Sequence, residues 1–299
     1  MRILVLGFTG YLGAHVAERL RALPGATVLG AGRSPGAAYP VDLASARPAE
    51  LAKTLASAAP DAVVNCAGAT GGDAVTLAEV NARGPAVLCA ALREAAPGAR
   101  LVHLGSAAEY GPGVPGTPVT ESAATCPVGP YGATKLAGTA VVTASGLDAV
   151  VLRVGNPVGP GAPPAGLPGR LAALLRDAGR DPDAVLRLGD LSSYRDFVDV
   201  RDVARAAELA VTAPGPLPRI LNISAGRAVP VRELVIGLAS KAGFRGRLEE
   251  ATGGGRSVRS GEVSWQCSAV GAAEEALGWR PSHTLDEALA ALWEGDGTP

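Results

Sequence analysis

Two ionisable side chains lie four residues apart in the stretch GPYGATK at 129–135, where a proline-and-glycine loop gives way to an alanine-rich run. Tyrosine has an ordinary pKa of about 10, so it is a poor acid near neutral pH unless a nearby cation stabilises its phenolate. On a helix, Lys135 lies over the same face as Tyr131 and can supply that field. The same spacing also fits an ordinary exposed helix pair, so a proton donor here needs supporting residues.

Supporting residues follow two of the apolar runs that precede this stretch. Ser106 ends one run in HLGSAAEYG at 103–111, and the carboxyl ends of parallel strands are where such sheets present ligands. NCAG at 65–68 ends the preceding run, and Asn81 begins the helical pattern NARGPAVLCAAL. Ketone reduction needs a hydride donor, a proton donor and a group that holds the carbonyl oxygen. Tyr131 and Ser106 are candidates for the last two.

The elements that would position these residues alternate along the first half of the chain. Short apolar runs rich in β-branched residues predict strands at 2–7, 26–32, 61–68, 100–106 and 148–156. Helical patterns separate these runs, at 11–22, 46–58, 73–95 and 131–145. Continuous apolar strands between helices are typical of a parallel sheet covered on both faces. We therefore predict an α/β fold with a Rossmann-like doubly wound parallel sheet.

The pattern becomes less regular after residue 156. A long Pro/Gly loop, NPVGPGAPPAGLPGR, is followed by helical patterns at 170–178, 230–242 and 284–294 and by an apolar run at 219–224. We expect residues 1–156, with returning segments near 197–224, to form the dinucleotide-binding domain. Residues 157–299 should form mainly a smaller α+β substrate-binding cap.

A glycine-rich turn, GFTGYLG at 7–13, directly follows the first predicted strand and precedes the first helix. Its three glycines suit a tight turn, close backbone approach to a pyrophosphate and packing of helix on strand. The helix N-terminus would then face the phosphates; the alternative is a tight turn that binds no ligand. Candidate cofactor residues here are Gly7, Thr9, Gly10, Tyr11, Leu12 and Gly13, with Cys66, Ala67 and Gly68 from NCAG.

The stretch GAGRS at 30–34, which ends the second predicted strand, indicates which dinucleotide binds. An acidic residue at this place binds the ribose hydroxyls of NAD, whereas an arginine accommodates the 2′-phosphate of NADP. Arg33 and Ser34 stand here and residues 30–41 contain no Asp or Glu, so we expect NADP(H) in preference to NAD(H). Alternatively, Arg33 is a solvated cation stacked on the adenine. Asp42, which precedes Leu43, either accepts a hydrogen bond from the adenine or caps the next helix.

Composition and charge limit the classes of partner. The formal net charge is −1, with acidic and basic residues well mixed, so the chain has no basic stripe suited to nucleic acid. The four cysteines and three histidines are scattered without metal-ligand spacing, which favours free thiols and no metal site. No stretch approaches the length of a membrane span or a secretory signal. We expect a cytoplasmic protein with a small-molecule substrate.

Together these motifs resemble the extended short-chain dehydrogenase/reductase family, the NAD-dependent epimerase/dehydratase group. The resemblance covers nearly the whole chain, in GFTGYLG, NCAG, GSAAEYG, PYGATK, LRVGNPVGPG, RDFVDVRDV and the closing LGWRPSHTLDEAL. Within the family, NPVGPG followed by GDLSSYRDFVDVRDVARA is most similar to nucleotide-sugar 4-ketoreductases of the GDP-6-deoxy-mannose type. Members often dimerise through a bundle that contains the helix of Tyr131, so the resemblance allows a homodimer.

The resemblance implies a role for each residue of the reacting centre. Tyr131 would be the general acid, Lys135 would tune it and bind the nicotinamide ribose, and Ser106 would position the carbonyl. Asn81 matches the asparagine of the helix that supports this centre, and Tyr110 would be a packing residue. Sugar dehydratases of the family carry an Asp–Glu pair at the places of Ala107 and Ala108, so dehydration is disfavoured here.

On the substrate side, the resemblance points to Asn156 at the end of its strand and to arginines suited to a diphosphate, whose oxygen pairs match the guanidinium fork. Arg195 and Arg259 match such positions, and Arg170 is a further candidate. Each could equally be a solvated or helix-capping arginine. WQCS at 265–268 replaces an aspartate-containing family segment, which makes the local structure of the cap hard to predict.

These expectations lead to an NADPH-dependent ketoreductase that acts on a nucleotide-linked keto-deoxysugar or a related secondary metabolite. If the diphosphate pocket is repurposed, the substrate is a bulky aromatic or polyketide ketone. The alternatives are a nucleotide-sugar epimerase that retains NAD and a catalytically silent NADP(H)-binding regulator. Arg33 favours the reductase over the epimerase, and the complete set of Ser106, Tyr131 and Lys135 argues against the regulator.

Overall fold

A computed structural model of the chain describes residues 1–250 and 263–295. Its strands, in chain order, are β1 (Arg2–Leu6), β2 (Thr27–Gly32), β3 (Tyr39–Pro40), β4 (Ala62–Asn65), β5 (Arg100–Ser106), β6 (Ala149–Val154), β7 (Asn156–Val158), β8 (Val185–Leu188), β9 (Tyr194–Asp199), β10 (Ile220–Ile223), β11 (Ala228–Pro230) and β12 (Arg247–Glu250). The α-helices are α1 (Tyr11–Arg21), α2 (Pro48–Ala58), α3 (Ala74–Ala78), α4 (Gly84–Ala95), α5 (Pro130–Thr143), α6 (Leu167–Ala178), α7 (Val200–Thr212), α8 (Val231–Lys241), α9 (Gly271–Leu277) and α10 (Leu285–Gly295).

The central sheet has seven parallel strands in the order β10-β6-β5-β4-β1-β2-β3. Its apolar strands are buried on both faces: α1, α7 and α9 pack on one, and α2, α4 and α5 pack on the other. Because β5 and β6 pair with Ser106 opposite Val154, the carboxyl ends of the middle strands lie at one edge. The predicted doubly wound α/β fold is confirmed.

A smaller unit of mixed structure follows β6. It contains a three-stranded sheet in the order β11-β9-β7 and a two-stranded parallel sheet of β8 and β12. Helices α6, α8 and α10 pack against these strands around a separate apolar core. Among the helices of the described ranges, none has both the length and the apolar character needed to cross a membrane.

Three aspartates at three-residue spacing on β9 and α7 form hydrogen bonds that hold this part of the fold together. Asp196 of β9 accepts hydrogen bonds from the backbone amides of Ala225 (2.8 Å) and Ser268 (3.0 Å). Asp199 caps the N-terminus of α7, and Asp202, which is fully buried on α7, accepts the amides of Ser282 and His283, each at 2.9 Å. Through Asp196 and Asp202, the motif RDFVDVRD therefore binds β9 and α7 to three separate segments, which contain Ala225, Ser268 and Ser282–His283.

Three predicted elements end or break differently in the structure. The strand expected at 61–68 ends at Asn65, because the side chain of Asn65 accepts the amide of Ala67 (3.1 Å) and turns the chain. The strand expected at 148–156 ends at Val154, and Asn156 begins β7 of the smaller sheet instead. The helix expected at 73–95 is interrupted by a π-helical turn, Glu79–Arg83, and Asn81 lies within that turn.

Candidate active site

The glycine turn between β1 and α1 has the geometry of an anion-binding site. Gly7 has φ 72°, and a Cβ atom there would lie 2.8 Å from the amide nitrogen of Ala67. A Cβ on Gly13 would lie 2.0 Å from the carbonyl oxygen of Gly7, so only glycine permits this approach of helix to strand. Among the described residues, no side chain caps α1 at Gly10 and no acidic residue stands in its first turn. These features fit a dinucleotide pyrophosphate.

The end of β4 is shaped by a buried amide and bordered by two neutral groups. The side chain of Asn65 donates to Nδ1 of His103 on β5, at 3.1 Å. Burial, and then the charge of Lys135, hold the pKa of His103 well below its ordinary value, so this imidazole is neutral. Burial raises the pKa of the Cys66 thiol to about 12, so Cys66 is an uncharged thiol and not a nucleophile.

Lys135 of α5 has a buried ammonium group. Helix α5 begins at Pro130, as the sequence predicts, so Tyr131 stands in its first turn. Nζ of Lys135 donates to the carbonyl oxygen of Leu104 (2.5 Å) near the end of β5. A Cβ on Gly68 would lie 3.9 Å from Nζ, which places the ammonium next to the turn after β4. Burial lowers the pKa of Lys135, and the charge of Glu109 opposes that shift.

Ser106 is held by a reciprocal pair of hydrogen bonds at the carboxyl end of β5. Its Oγ accepts the amide of Ala108 (3.2 Å), and its own amide donates to Oε1 of Glu109 (2.8 Å). This is a capping box on the short turn Ala107–Glu109. This hydrogen bond uses one lone pair of Oγ and leaves its O–H available to donate to a ligand.

Behind Ser106 lies an ion pair with almost no solvent contact. Oε2 of Glu109 accepts from Nε of Arg153 at 2.7 Å, and the two side chains are 0% and 3% exposed. The Arg153 guanidinium lies 4.5 Å from the centre of the Tyr110 ring. The hydroxyl of Tyr110 donates to Oδ1 of Asn222 (2.7 Å), which is the arrangement of a packing residue. Glu109 is therefore the acidic group shared by two buried cations, Arg153 and Lys135.

Asn81 and the start of α5 join these parts. The carboxamide of Asn81 accepts the amide of Ala69 (2.9 Å) and donates to the carbonyl of Ala69 (2.9 Å) and to Oγ1 of Thr134 (3.3 Å). It thus ties the turn after β4 to the helical turn between Tyr131 and Lys135. A Cβ on Gly132 would lie 2.6 Å from the carbonyl oxygen of Ala108, so the first turn of α5 packs directly on the turn after Ser106.

Arg33, which is predicted to lie near the adenosine of the cofactor, follows β2 and is exposed. Its side chain makes no hydrogen bond or ion pair with the described residues, so it can reach a ligand. Asp42 accepts the amide of Ala44 (3.1 Å) in a local turn, and Arg47 is the N-cap of α2. The helix-capping alternative for Asp42 is therefore wrong. Arg83 of the π-helical turn donates to the carbonyls of Leu43, Ala44 and Ala46 and fixes this loop.

The substrate side contains two of the predicted residues together. Asn156 of β7 donates to the carbonyl oxygen of Asp196 (3.1 Å), and Arg195 on the same β9 strand is buried, which lowers its guanidinium pKa. Arg195 donates to the carbonyl of Tyr194 at 2.8 Å. Arg170 is exposed on the first turn of α6 and makes no side-chain hydrogen bond with the described residues. Arg259 lies outside those residues.

Sequence reasoning missed three polar residues of this region. Glu109 has a signal, because SAAE at 106–109 matches the capping-box pattern. Arg153 has a weaker one, since an arginine in an apolar strand requires a buried acidic partner. Gln266 has none beyond its place in the unusual WQCS segment, yet its amide donates to the carbonyl of Ala107 (2.9 Å).

Comparisons with known proteins agree with this geometry. The model of the NAD dependent epimerase/dehydratase family matches residues 3–224. The chain belongs to this family, which confirms the resemblance, and it is an oxidoreductase of the nicotinamide-dependent class.

Three relatives show how far the likeness extends. The chain is 38% identical to dTDP-6-deoxy-L-talose 4-dehydrogenase (NAD(P)(+)) of Kitasatospora kifunensis, over 99% of this chain and 96% of that protein. It is 27% identical to GDP-6-deoxy-D-mannose reductase of Pseudomonas aeruginosa, over 59% of this chain and 60% of that protein. Among solved structures, MoeE5 in complex with UDP-glucuronic acid and NAD superposes with a TM-score of 0.84 and 28% identity, over 99% of both chains.

Proposed function

We propose that the protein is an NADPH-dependent ketoreductase that reduces the 4-keto group of a nucleoside-diphosphate 6-deoxyhexose. The observation that carries the proposal is the combination at the end of β5. Ser106 caps the turn that follows β5, and Nζ of Lys135 donates to the carbonyl of Leu104, two residues before Ser106. The first turn of α5 packs on that same turn, in which Ala107 and Ala108 bear only methyl groups. The likeness to the 6-deoxy-L-talose 4-dehydrogenase over nearly the whole chain supports this substrate class, since reduction and dehydrogenation are two directions of one reaction.

The cofactor, when bound, supplies a hydride for the carbonyl carbon. The glycine turn at 7–13 would hold its pyrophosphate, and Lys135 would reach its ribose with the two ammonium hydrogens that Leu104 does not use. Ser106 donates its O–H to the carbonyl oxygen and orients it. Tyr131 gives its phenolic proton to the same oxygen, and the positive charge of Lys135 lowers the cost of the phenolate that remains.

The buried charges explain why Lys135 can stabilise that phenolate. Cys66, which directly follows β4, and His103 of β5 both interact with the charge of Lys135. Both are neutral, so they neither add to nor cancel its field. Burial lowers the pKa of Lys135, and Glu109 opposes that shift, although Glu109 is itself engaged by Arg153 and by the amide of Ser106. Glu109 therefore favours the ammonium form of Lys135 near the start of α5.

Reduction fits this site better than dehydration. Elimination of water from a sugar requires one group to remove a proton and another to protonate the leaving hydroxyl. Ala107 and Ala108 offer neither, and the nearest carboxylate along the chain, Glu109, is buried and paired with Arg153.

The decisive experiment measures oxidation of NADPH, by absorbance, with dTDP-, UDP- and GDP-linked 4-keto-6-deoxyhexoses and with aromatic ketones. We expect one NADPH to be consumed per sugar reduced, and no consumption with the aromatic ketones. Conversion of a nucleotide sugar to its 4-epimer without net NADPH consumption, together with NAD retained in the purified protein, would establish the epimerase instead. No turnover with any substrate despite NADPH binding would favour the silent regulator.

The preference for NADPH is proposed from Arg33, which is exposed at the end of β2. Exposed ion pairs contribute about 0–1 kcal/mol, so Arg33→Ser should lower the ratio of kcat/KM for NADPH to that for NADH about fivefold. Lys53→Ser, which removes an exposed cation from α2, is the control and should leave the ratio unchanged. A wild type that uses NADH at least as well as NADPH would end this proposal.

A further inference from the structure

The π-helical turn Glu79–Arg83 lies inside a continuous helical run, between α3 and α4. Its hydrogen bonds span one more residue than those of an α-helix, and such turns are frequent at functional sites. Because each residue of a helix is rotated by about 100° from the one before it, this insertion redirects the side chains that follow. Two side chains of the turn, those of Asn81 and Arg83, contact two different loops, the one after β4 and the one after β3.

Arg83 binds three carbonyl oxygens of residues 42–46, here called the 42–46 loop. Its Nη1 donates to the carbonyls of Ala44 (2.8 Å) and Leu43 (3.4 Å), and its Nη2 donates to the carbonyl of Ala46 (2.9 Å). A guanidinium presents several N–H donors in one plane, so it can fix several carbonyls at once. One side chain therefore sets the path of most of this loop.

The loop lies beside the end of β2 and contains the predicted acceptor for the adenine. The amide of Val41 donates to the carbonyl of Gly32 (3.0 Å), which ties the start of the loop to that strand. Asp42 is exposed, and its Oδ1 accepts the amide of Ala44 (3.1 Å). The position of the Asp42 carboxylate therefore depends on the backbone at Ala44, whose carbonyl Arg83 holds.

The same loop packs closely on the start of α4. Leu43 is buried, and a Cβ atom on Gly84, the residue after Arg83, would lie 3.1 Å from Cβ of Leu43. This apolar contact brings the loop to the helix, and the hydrogen bonds of Arg83 fix the direction of its carbonyls. The loop is thus shaped before any cofactor binds.

We infer that Arg83 is a positioning residue for the adenosine half of the cofactor, which holds the 42–46 loop in the shape that binds adenine and does not itself touch the cofactor. Binding to a preformed loop costs less conformational entropy than binding to a loop that must first be ordered, so loss of Arg83 lowers affinity. This inference rests on the proposed function only in its use of a nicotinamide dinucleotide, and on neither the sugar nor the choice between NADPH and NADH.

The primary test measures the dissociation constants of NADPH and NADH, by the fluorescence of the reduced nicotinamide, with the full chain and no substrate. Arg83→Met keeps the apolar stem and a good helix former but removes all three hydrogen bonds. We expect both dissociation constants to rise about tenfold, with their ratio unchanged. Arg93→Met is the matched control, because Arg93 of α4 donates to the carbonyl of Ser145 (3.2 Å) and not to the loop. It should bind both dinucleotides as the wild type does.

Two further measurements locate the effect in the molecule and in the cofactor. Hydrogen exchange, followed by mass spectrometry without cofactor, should be faster in residues 41–46 of Arg83→Met than in the wild type and unchanged in β1 and β4. AMP and adenosine 2′,5′-bisphosphate, which carry only the adenosine half, are titrated in competition with NADPH. The dissociation constant of the tighter fragment should rise about as much as that of the whole cofactor, tenfold, since both use the loop.

Several outcomes would overturn the inference. They are unchanged dinucleotide affinity in Arg83→Met, an equal loss in Arg93→Met, exchange that is unchanged in residues 41–46 or faster throughout the sheet, unchanged fragment binding, and a wild type that binds neither dinucleotide. A loss for NADPH alone would also overturn it, because Arg83 would then contact the 2′-phosphate directly. If binding and exchange change as expected but no ketosugar consumes NADPH, the proposed function fails and the role of Arg83 stands.

Discussion

The predicted cofactor half and the predicted substrate half of the site are held by different kinds of interaction. Below the cofactor side, Lys135, Glu109 and Arg153 are buried charges whose positions depend on one another. On the substrate side, Asn156 and Gln266 are neutral amides joined to each other and to backbone carbonyls. A misplaced buried charge is costly, whereas an amide can exchange partners at less cost. We therefore expect substitutions to be tolerated less well in the cofactor half than in the substrate half.

The largest effect should come from the proton donor of the rigid half. Tyr131→Phe removes the general acid, so we expect kcat to fall about a hundred- to ten-thousand-fold while NADPH still binds. Tyr110→Phe is the matched control. It removes the hydrogen bonds of a packing residue to Asn222 and Arg153 and should stay within a few-fold of wild type. Steady-state kinetics and a cofactor-binding titration check both variants. Near-normal turnover by Tyr131→Phe would remove Tyr131 from the mechanism.

The next effect is on stability. Glu109→Gln leaves Arg153 as an uncompensated buried charge, so we expect the free energy of unfolding to fall by about 3–5 kcal/mol. Urea denaturation followed by circular dichroism measures the change. Glu249→Gln breaks the exposed pair with Arg187, whose side chains are 48% and 83% exposed, and should cost about 0–1 kcal/mol. Equal losses in the two variants would show that burial does not distinguish them.

The same substitution should also move the pH dependence of reduction. Burial lowers the pKa of Lys135, and Glu109 raises it back by favouring the ammonium. Without that carboxylate the ammonium of Lys135 loses its proton at a lower pH. Once it is neutral, Lys135 no longer stabilises the phenolate of Tyr131. The alkaline limb of the kcat profile should therefore shift to lower pH in Glu109→Gln, measured over a range in which the variant stays folded. An unmoved limb would assign that ionisation to another group.

A smaller effect is expected in the substrate half. Arg195→Lys keeps the positive charge but loses the fork that pairs with two oxygens, so KM for the nucleotide sugar should rise about tenfold, or about 1.4 kcal/mol. The kcat value and the KM for NADPH should change little. Arg245→Lys, at an exposed arginine to which no role in the site is assigned, serves as the control. If kcat of Arg195→Lys fell as much as that of Tyr131→Phe, substrate binding and the chemical step would not be assigned to separate halves of the site.

Much of the central sheet could be predicted because buried parallel strands are continuous apolar runs. The strand predicted at 100–106 is β5 itself, and the glycine turn between β1 and α1 follows from local spacing. The π-helical turn at Glu79–Arg83 could not be predicted, because its apolar positions fit an uninterrupted helix. The contact of Gln266 could not be predicted for another reason. Its partner Ala107 lies 159 residues away in the chain, so no local sequence pattern indicates the contact.

The attachment of α7 to late segments has a consequence for the order of events during synthesis. The strand β10 enters the central sheet only after residue 223 has been made, and Asp202 meets Ser282 and His283 later still. Before then, Asp202 would be a carboxylate that cannot be buried without its hydrogen-bond donors. We therefore expect the burial of Asp202, and with it the final packing of α7, to wait until Ser282 and His283 have been made.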